Sequence, residues 1–247
     1  MITAMTSILI TGGTGLIGKA LRQALLGKGY RVIILSRHIT GKPTSGNLSY
    51  AGWNVEQQTI DEEAISNADH IIHLAGAGVA DKRWTEKRKQ EILNSRVNSC
   101  DLIVKSLKNI PNRVRTVVSA SAIGWYGPDE DTTNPSSRKI GPSGEGRSIR
   151  KFIEPDPAAA DFLGSTCKQW EESIEPVIQL DKRLVKLRTG IVLSAAGGAL
   201  KEFTRPMKFG IAAILGTGKQ IISWIHIDDL VKMYIAAIEN ENMQGVY

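Results

Sequence analysis

The sequence predicts a doubly wound, parallel α/β sheet, and three observations carry that expectation. A short apolar run, Ile8-Leu9-Ile10, leads directly into Thr11-Gly12-Gly13-Thr14-Gly15-Leu16-Ile17-Gly18, a glycine-rich turn that opens a helical pattern. Further apolar runs alternate with stretches whose apolar residues recur at helical spacing, the pattern of βαβ units. The third observation is size: 247 residues, 42% of them hydrophobic, can bury one substantial core. One domain over residues 1–247 is expected.

Each glycine of the turn has its own job. The first makes the tight turn, the middle one lets backbone approach a pyrophosphate, and the last lets the helix pack closely on the sheet. The helix N-terminus then faces the phosphate charge. An ordinary βα turn is the alternative. Gly13-x-Gly15-x-x-Gly18 fits the general dinucleotide spacing, while Gly12-x-x-Gly15-x-x-Gly18 fits the wider spacing of short-chain dehydrogenases/reductases, and Thr11 favours the second. Here the chain resembles the extended branch of that superfamily, a Rossmann fold whose members include nucleotide-sugar epimerases and reductases. The resemblance implies Gly12, Thr14, Gly15, Leu16, Ile17 and Gly18 as cofactor-binding positions.

Leu16 to Lys28 reads as a helix with Leu21 and Leu25 on one face, closed by Gly29. Arg31-Val32-Ile33-Ile34-Leu35 is the second strand, and the residues at its end select the cofactor. An acidic side chain there would hold the ribose 2′-hydroxyl of NAD and repel a 2′-phosphate. Instead the slot holds Ser36-Arg37, a hydroxyl and a guanidinium suited to phosphate oxygens. NADP(H) is therefore the expected cofactor, an arginine on the surface after a strand being the ordinary alternative.

Thr40 to Gly46 is a Gly/Pro/Ser loop and Tyr50 to Val55 a third strand, where Asn54 is a turn residue or touches an adenine edge. Asp61 to Asn67 reads as a short helix. Ala68 to Gly76 is a fourth strand ending in small residues, similar to the superfamily's strand-end motif. That likeness implies that Leu74, Ala75 and Gly76 let backbone pass against the cofactor. His73 reads as core-facing rather than as a ligand.

Trp84 to Lys108 is a long helix with Ile92, Cys100, Ile103, Val104 and Leu107 at helical spacing. Typical extended members carry an Asn-Val-x-Gly-Thr pattern here, and Arg96 stands in the place of its relay asparagine. The departure matches one subgroup, the epimerase family proteins (nucleoside-diphosphate-sugar epimerase-like), whose Glu-(x)4-Arg pair contacts NADP. The resemblance thus implies Glu91 and Arg96 as cofactor ligands; a solvated helix face is the alternative. Val114 to Ser119 is the fifth strand. The following Ala120 to Gly127 is like the branch's serine-bearing strand end and Tyr-Gly turn, which makes Ser121 the candidate for holding a substrate carbonyl or hydroxyl, with Ser119 as runner-up. Asp129 to Pro157 is rich in Gly, Pro, Ser and charge and reads as a lid or mobile insert over the cleft.

Superfamily enzymes pair a tyrosine with a lysine four residues later, the cation easing proton exchange by the phenol. Four residues after Tyr30, Tyr50, Tyr126 and Tyr234 stand Ile34, Asn54, Glu130 and Ile238, and Tyr247 is the last residue. Matching Glu171 to the glutamate that follows the usual pair puts Leu163 in the tyrosine's place and Cys167 in the lysine's. The epimerase family subgroup shows the same Phe-Leu-x-x-x-Cys-x-x-Trp-Glu signature. Tyr126, near Ser121, is then the remaining candidate for the proton-moving group. Cys167 reads as a buried structural thiol, with a nucleophile as the alternative.

Leu184 to Leu193 reads as a sixth strand leaving the sheet, and the resemblance places Val192 on the cofactor. Residues 197–220 resemble part of a substrate wall. Trp224 to Leu230 matches a strand-to-helix signature, with Asp228 or Asp229 as helix N-cap and His226 as a packing residue. Gly245-Val246-Tyr247 begins a further strand. Relatives continue for several dozen residues as a cap over the substrate cleft, so the resemblance implies a small C-terminal substrate region that is truncated here.

Net charge is +6, but the charges are interspersed, which argues against a nucleic-acid partner. Two distant cysteines, Cys100 and Cys167, suggest neither a disulfide framework nor a metal site. No apolar run approaches the roughly 20 residues of a membrane helix, and the chain goes straight into a strand, so a cytoplasmic protein is expected. The expected function is that of an NADP-dependent oxidoreductase or epimerase acting on a nucleotide sugar or carbonyl compound, with a homodimer as its assembly. A non-catalytic NADP(H)-binding sensor or regulator is the alternative.

Overall fold

The computed structural model describes residues 5–42, 44–128, 151–210 and 221–247. Its main sheet has eight strands: β1 (Ser7–Thr11), β2 (Arg31–Ser36), β3 (Leu48–Asn54), β4 (Thr59–Ile60), β5 (His70–His73), β6 (Thr116–Ala122), β7 (Arg183–Thr189) and β11 (Gly245–Val246). Their order is β11-β7-β6-β5-β1-β2-β3-β4, and all neighbours run parallel except the β3–β4 hairpin. The chain leaves β1 for β2 on one side and returns to β5 on the other. The strand order therefore reverses between β1 and β5, where doubly wound sheets open a ligand crevice at the strands' carboxyl ends.

Alternate residues of each strand feed two cores. Leu9, Ile71 and Val117 face one cluster with α2 (Glu62–Ser66), α3 (Glu86–Asn109) and α4 (Phe162–Ile174). Ile8, Ile10, Ile72 and Val118 face the other with α1 (Leu16–Gly27) and α6 (Ile227–Glu239). Burial on both faces is why these strands read as unbroken apolar runs rather than as alternating ones.

Three differences from the sequence reading bear on the site. Leu184 to Leu193 is two strands, β7 and β8 (Ile191–Ser194), broken at Gly190. A Cβ at Gly190 would lie 2.7 Å from Ser223 O, so the chain turns where only glycine fits. After the break, β8 joins β9 (Gly197–Gly198) and β10 (Trp224–His226) in a separate three-stranded sheet, next to α5 (Ala199–Met207). The fifth strand extends past Ser119 to Ala122, which puts Ser121 inside β6. The N-cap of α6 is His226, whose side chain accepts from Asp228 N at 3.3 Å, in place of Asp228 or Asp229. Those two carboxylates occupy the first turn and favour the helix dipole from there.

Of the polar insert, residues 129–150 lie outside the described residues, as do 211–220 of the region read as a substrate wall. Among the described residues, no helix is long and apolar enough to cross a membrane.

Candidate functional site

The glycine turn sits at the carboxyl end of β1. Gly12 has φ +68, and a Cβ there would lie 3.0 Å from the carbonyl of Leu74 at the end of β5. Gly15 N donates to Gly12 O at 3.0 Å and Gly15 caps α1 without a side chain, leaving the amides of the first turn, from Leu16 and Ile17 onward, to face the crevice. A Cβ at Gly18 would be 2.4 Å from Gly12 O, so helix and turn are in backbone contact. Leu16 reaches the second sheet, its Cδ2 lying 2.8 Å from where a Cβ of Gly198 would stand, and Val192 O borders the same point at 3.8 Å. Leu16 of α1 and Val192 of β8 thus meet beside Gly198, although 176 positions separate them in the sequence.

The other wall is built by a buried hydrogen-bond chain. Thr11 Oγ1 accepts from Leu74 N and Ala75 N, both at 3.1 Å, and contacts His73 Nδ1 at 2.7 Å. With its lone pairs taken by two amides, the hydroxyl donates to Nδ1. His73 Nε2 therefore carries the hydrogen and meets Ser99 Oγ at 3.1 Å, and Ser99 in turn donates to backbone of α3. The chain fixes Leu74, Ala75 and Gly76 beside the glycine turn, and His73 is the core residue its sequence context suggested.

Protonation would cost Thr11 its acceptor. Burial, aided by the Arg96 charge, pulls His73 from 6.5 down to about 3. At the other end of β5, burial and the Arg115 charge pull His70 to about 4. Both groups take up a proton in the unfolded chain below 6.5 but not in the folded one. Stability is thus complete above 6.5 and falls on acidification, by about 1.4 kcal/mol per pH unit for each histidine. Urea midpoints should fall steadily between pH 6.5 and about pH 4; a flat profile would refute the neutral assignment.

At the end of β2, Ser36 Oγ receives Lys42 Nζ, and that ammonium also lies 5.1 Å above the Tyr50 ring. Arg37 is exposed, with no ion-pair partner among the described residues. Arg22 Nη1 donates to Tyr50 Oη at 3.0 Å. The strand end therefore carries a hydroxyl and two cations, of which sequence reasoning found one. Lys42 sits in a loop with no periodic or motif signal to mark it.

Arg96 packs on the strand-end turn. Its Cζ would lie 3.2 Å from a Cβ at Gly76, Nη1 donates to Ala77 O at 3.0 Å, and Cζ is 4.8 Å from the Trp170 ring centre. Glu91 is not its partner. Five residues apart on a helix, the two point about 140° apart, and Glu91 pairs with Arg88 at 2.8 Å. Arg88, almost wholly buried, also donates to Gly78 O and so ties α3 to the loop after β5. Asn54 Oδ1 accepts from Glu56 N and Gln57 N, both at 3.0 Å, which makes it a turn residue.

Ser121 and Tyr126 converge on a cluster centred on Glu171 and Arg188. Ser121 is 3% exposed and donates to Glu171 Oε1 at 2.6 Å. Arg188 grips the same carboxylate through Nε (2.8 Å) and Nη2 (3.1 Å), and Lys186 Nζ approaches it at 3.5 Å. The other arm of Arg188, Nη1, donates to Tyr126 Oη at 3.1 Å and to Glu154 O at 2.9 Å, while its Cζ lies 3.6 Å from the Trp125 ring centre. Ser119 instead donates to the neighbouring Ala120 O. Leu163 and Cys167 face the turn after β6, Cys167 Sγ meeting Ala122 O at 3.6 Å, and burial pushes that thiol up to about 11. Neither is placed as an acid/base pair.

A parallel sheet with a glycine turn at its order reversal, a small-residue strand end opposite and a serine-bearing strand beside them define the extended class of short-chain dehydrogenases/reductases. Comparison with known proteins gives the family. The model of the NAD dependent epimerase/dehydratase family matches residues 8–145, and the chain belongs to that family. It is 35% identical to Epimerase family protein SSP1921 of Staphylococcus saprophyticus over 245 residues, 98% of this chain and 74% of that one. Among solved structures it is similar to human epimerase family protein SDR39U1 (isoform 2) with NADPH, at TM-score 0.76 and 25% identity, covering 98% of this chain and 72% of that one. A nucleoside-diphosphate sugar epimerase from Corynebacterium glutamicum matches at TM-score 0.76 and 28% identity, over 98% of this chain and 46% of the other.

Proposed function

We propose that this protein holds NADP(H) across the strand ends of β1 and β5. It acts there as an NADP-dependent oxidoreductase or epimerase of the atypical type, on a small molecule such as a nucleotide sugar or carbonyl compound. The observation that carries the cofactor choice is the end of β2, where Lys42 meets Ser36, Arg37 follows exposed, and residues 36–42 include no carboxylate. The fit elsewhere is steric: side chains at Gly12 or Gly18 would fill the space that backbone occupies beside the crevice. The human relative's structure holds NADPH, which supports the same choice.

When bound, the cofactor supplies hydride chemistry. The turn and the open end of α1 would hold its diphosphate, Leu74 to Gly76 and Arg96 would border it, and Val192 would close the crevice from the second sheet. Ser121, held by Glu171, positions its strand end, and Tyr126 is the hydroxyl at the cleft. Calorimetric titration should give tighter binding of NADPH than of NADH. Arg37→Ala and Lys42→Ala should each weaken NADPH by about 10–100-fold, the worth of one charge-assisted contact, with NADH little changed. Equal affinities for both cofactors in the unsubstituted protein would end this reading.

One observation favours a second reading, a sensor that binds NADP(H) without turnover. By the resemblance, Leu163 and Cys167 stand where a tyrosine and lysine ordinarily work, and burial keeps the Cys167 thiol protonated, its pKa pushed up to about 11. A sensor requires a partner that distinguishes NADPH-loaded from empty protein. A pull-down with the same yield in both states would eliminate it.

A further inference from the structure

At the amino edge of the large sheet lies a cleft of about 470 Å³, whose lining includes Tyr30, His70, Arg115, Arg183, Glu239 and Glu241. Strand register sets His70, Thr116 and Arg183 side by side at the starts of β5, β6 and β7. From there β6 runs seven residues to Ala122, roughly 20 Å at the usual rise of a strand, so the cleft and the cofactor crevice lie at opposite ends of the sheet. Residues 1–4, which precede Thr6 in its lining and lie outside the described residues, carry no ionisable side chain.

Two of its four charged side chains are already committed. Glu239 receives Lys28 Nζ at 2.9 Å and the Tyr30 hydroxyl at 2.8 Å. Arg183 donates to Ala237 O and Met243 O, both at 2.7 Å, and to Ile238 O at 3.1 Å, which fastens it to the end of α6. The other two, Arg115 and Glu241, are exposed and form no ion pair among the described residues. Glu241 is near enough to act on Arg183 through its charge.

The one side-chain hydrogen-bond partner of Arg115 is neutral. Its Nη2 meets His70 Nε2 at 3.2 Å. A guanidinium only donates, so Nε2 accepts and Nδ1 carries the ring's hydrogen. His70 is 6% exposed, and its Nδ1 is buried without a hydrogen-bond partner among the described residues. Burial and the charges of Arg115 and Arg183 hold its pKa down at about 4, so the ring stays neutral. Buried polar groups are nearly always paired, and this one marks a place for an acceptor. The cleft thus combines an unpaired guanidinium fork beside an unanswered N–H with an unpaired carboxylate.

We propose that this cleft binds a free α-amino acid, its carboxylate on Arg115 beside His70 and its ammonium turned to Glu241. The inference is independent of the cofactor reading. A guanidinium fork matches a carboxylate through two parallel hydrogen bonds. A phosphate or a dicarboxylate would bring extra negative charge against Glu239 and Glu241, whereas a lone amine would meet Arg115 and Arg183. A zwitterion answers both free groups and adds no net charge.

The test titrates the protein with L-alanine, propionate and alaninamide at constant ionic strength, reading each affinity by saturation transfer to the ligand's methyl group. L-Alanine is expected to bind most tightly, propionate less so and alaninamide least. Arg115→Gln removes the fork from an exposed position and should weaken alanine about 10–100-fold, the worth of a charge-assisted contact. Glu241→Gln should weaken alanine about two- to fivefold, as loss of an exposed ion pair does, and leave propionate unchanged or tighter. Saturating NADPH should displace none of the alanine. Propionate or alaninamide binding as tightly as alanine, unchanged alanine affinity in Arg115→Gln, or no alanine binding at all would overturn the proposal. Displacement by NADPH would place the amino acid in the crevice and overturn it equally. If Arg115→Gln does not fold, the three-ligand comparison and Glu241→Gln still decide.

Discussion

Replacing Glu171 with alanine is expected to destabilise the protein by about 3–5 kcal/mol, the usual effect of removing one partner from a buried ion pair. The carboxylate is 3% exposed and is the shared acceptor for Ser121, both branches of Arg188 and the nearby ammonium of Lys186. Its loss leaves a guanidinium without a counter-charge in a place where water cannot replace it. Lys186 suffers less, because Glu175 still holds its Nζ at 2.6 Å. Glu171→Gln keeps the shape and one oxygen acceptor and should cost less than Glu171→Ala. Urea unfolding of both variants measures this. A loss below about 1 kcal/mol for Glu171→Ala, the range of ordinary surface changes, would mean that the cluster is more hydrated than its geometry indicates.

Gly18→Ala should abolish useful cofactor binding. The added Cβ would lie 2.4 Å from Gly12 O and 2.5 Å from Gly13 Cα. These are backbone atoms, so relief requires moving the turn off the helix and away from the diphosphate position. Overpacking of this kind costs about 1–3 kcal/mol of stability, and we expect NADPH affinity to fall by at least about 100-fold, which is about 2.7 kcal/mol. Gly27→Ala, in the last turn of the same helix, is the control. Nothing lies within 4 Å of its added carbon, and trading glycine for alanine there should stabilise slightly. Calorimetry and thermal unfolding of the two variants separate steric effects at the turn from general effects on α1. Full NADPH affinity in Gly18→Ala would sink the assignment of the turn.

The sheet was legible because its signals are local. Ile8-Leu9-Ile10, Val32 to Leu35 and Ile71-Ile72 are buried on both faces, so each reads as an apolar run without reference to the rest of the chain. The glycine turn was legible for the same reason, since strand, turn and helix are contiguous. What lay beyond reach was contact between distant segments. Glu171 stood out as part of a helix signature, but nothing in that stretch or in the strand carrying Arg188 points to their contact across α4, β6 and β7. Lys42 reaches Ser36 from a Gly/Pro/Ser loop, where no periodicity constrains expectation. The contact of Glu91 with Arg88, three residues earlier on α3, had no motif to mark it either. The break at Gly190 escaped notice because the residues on both sides favour extended structure; only the approach of Ser223 O shows why the strand cannot continue.

That break sets the terms on which the molecule can diversify. At Gly190 the chain leaves the large sheet, builds β8, β9 and β10 as a sheet of their own, and returns only with β11 beside β7. Insertions or deletions within that small sheet need not shift the register of β1, β2 or β5, whereas α6 and β11 remain tied to the large sheet and its core. Descendants of such a chain are free to rewrite the small sheet while the glycine turn and the strands around it pass on unaltered.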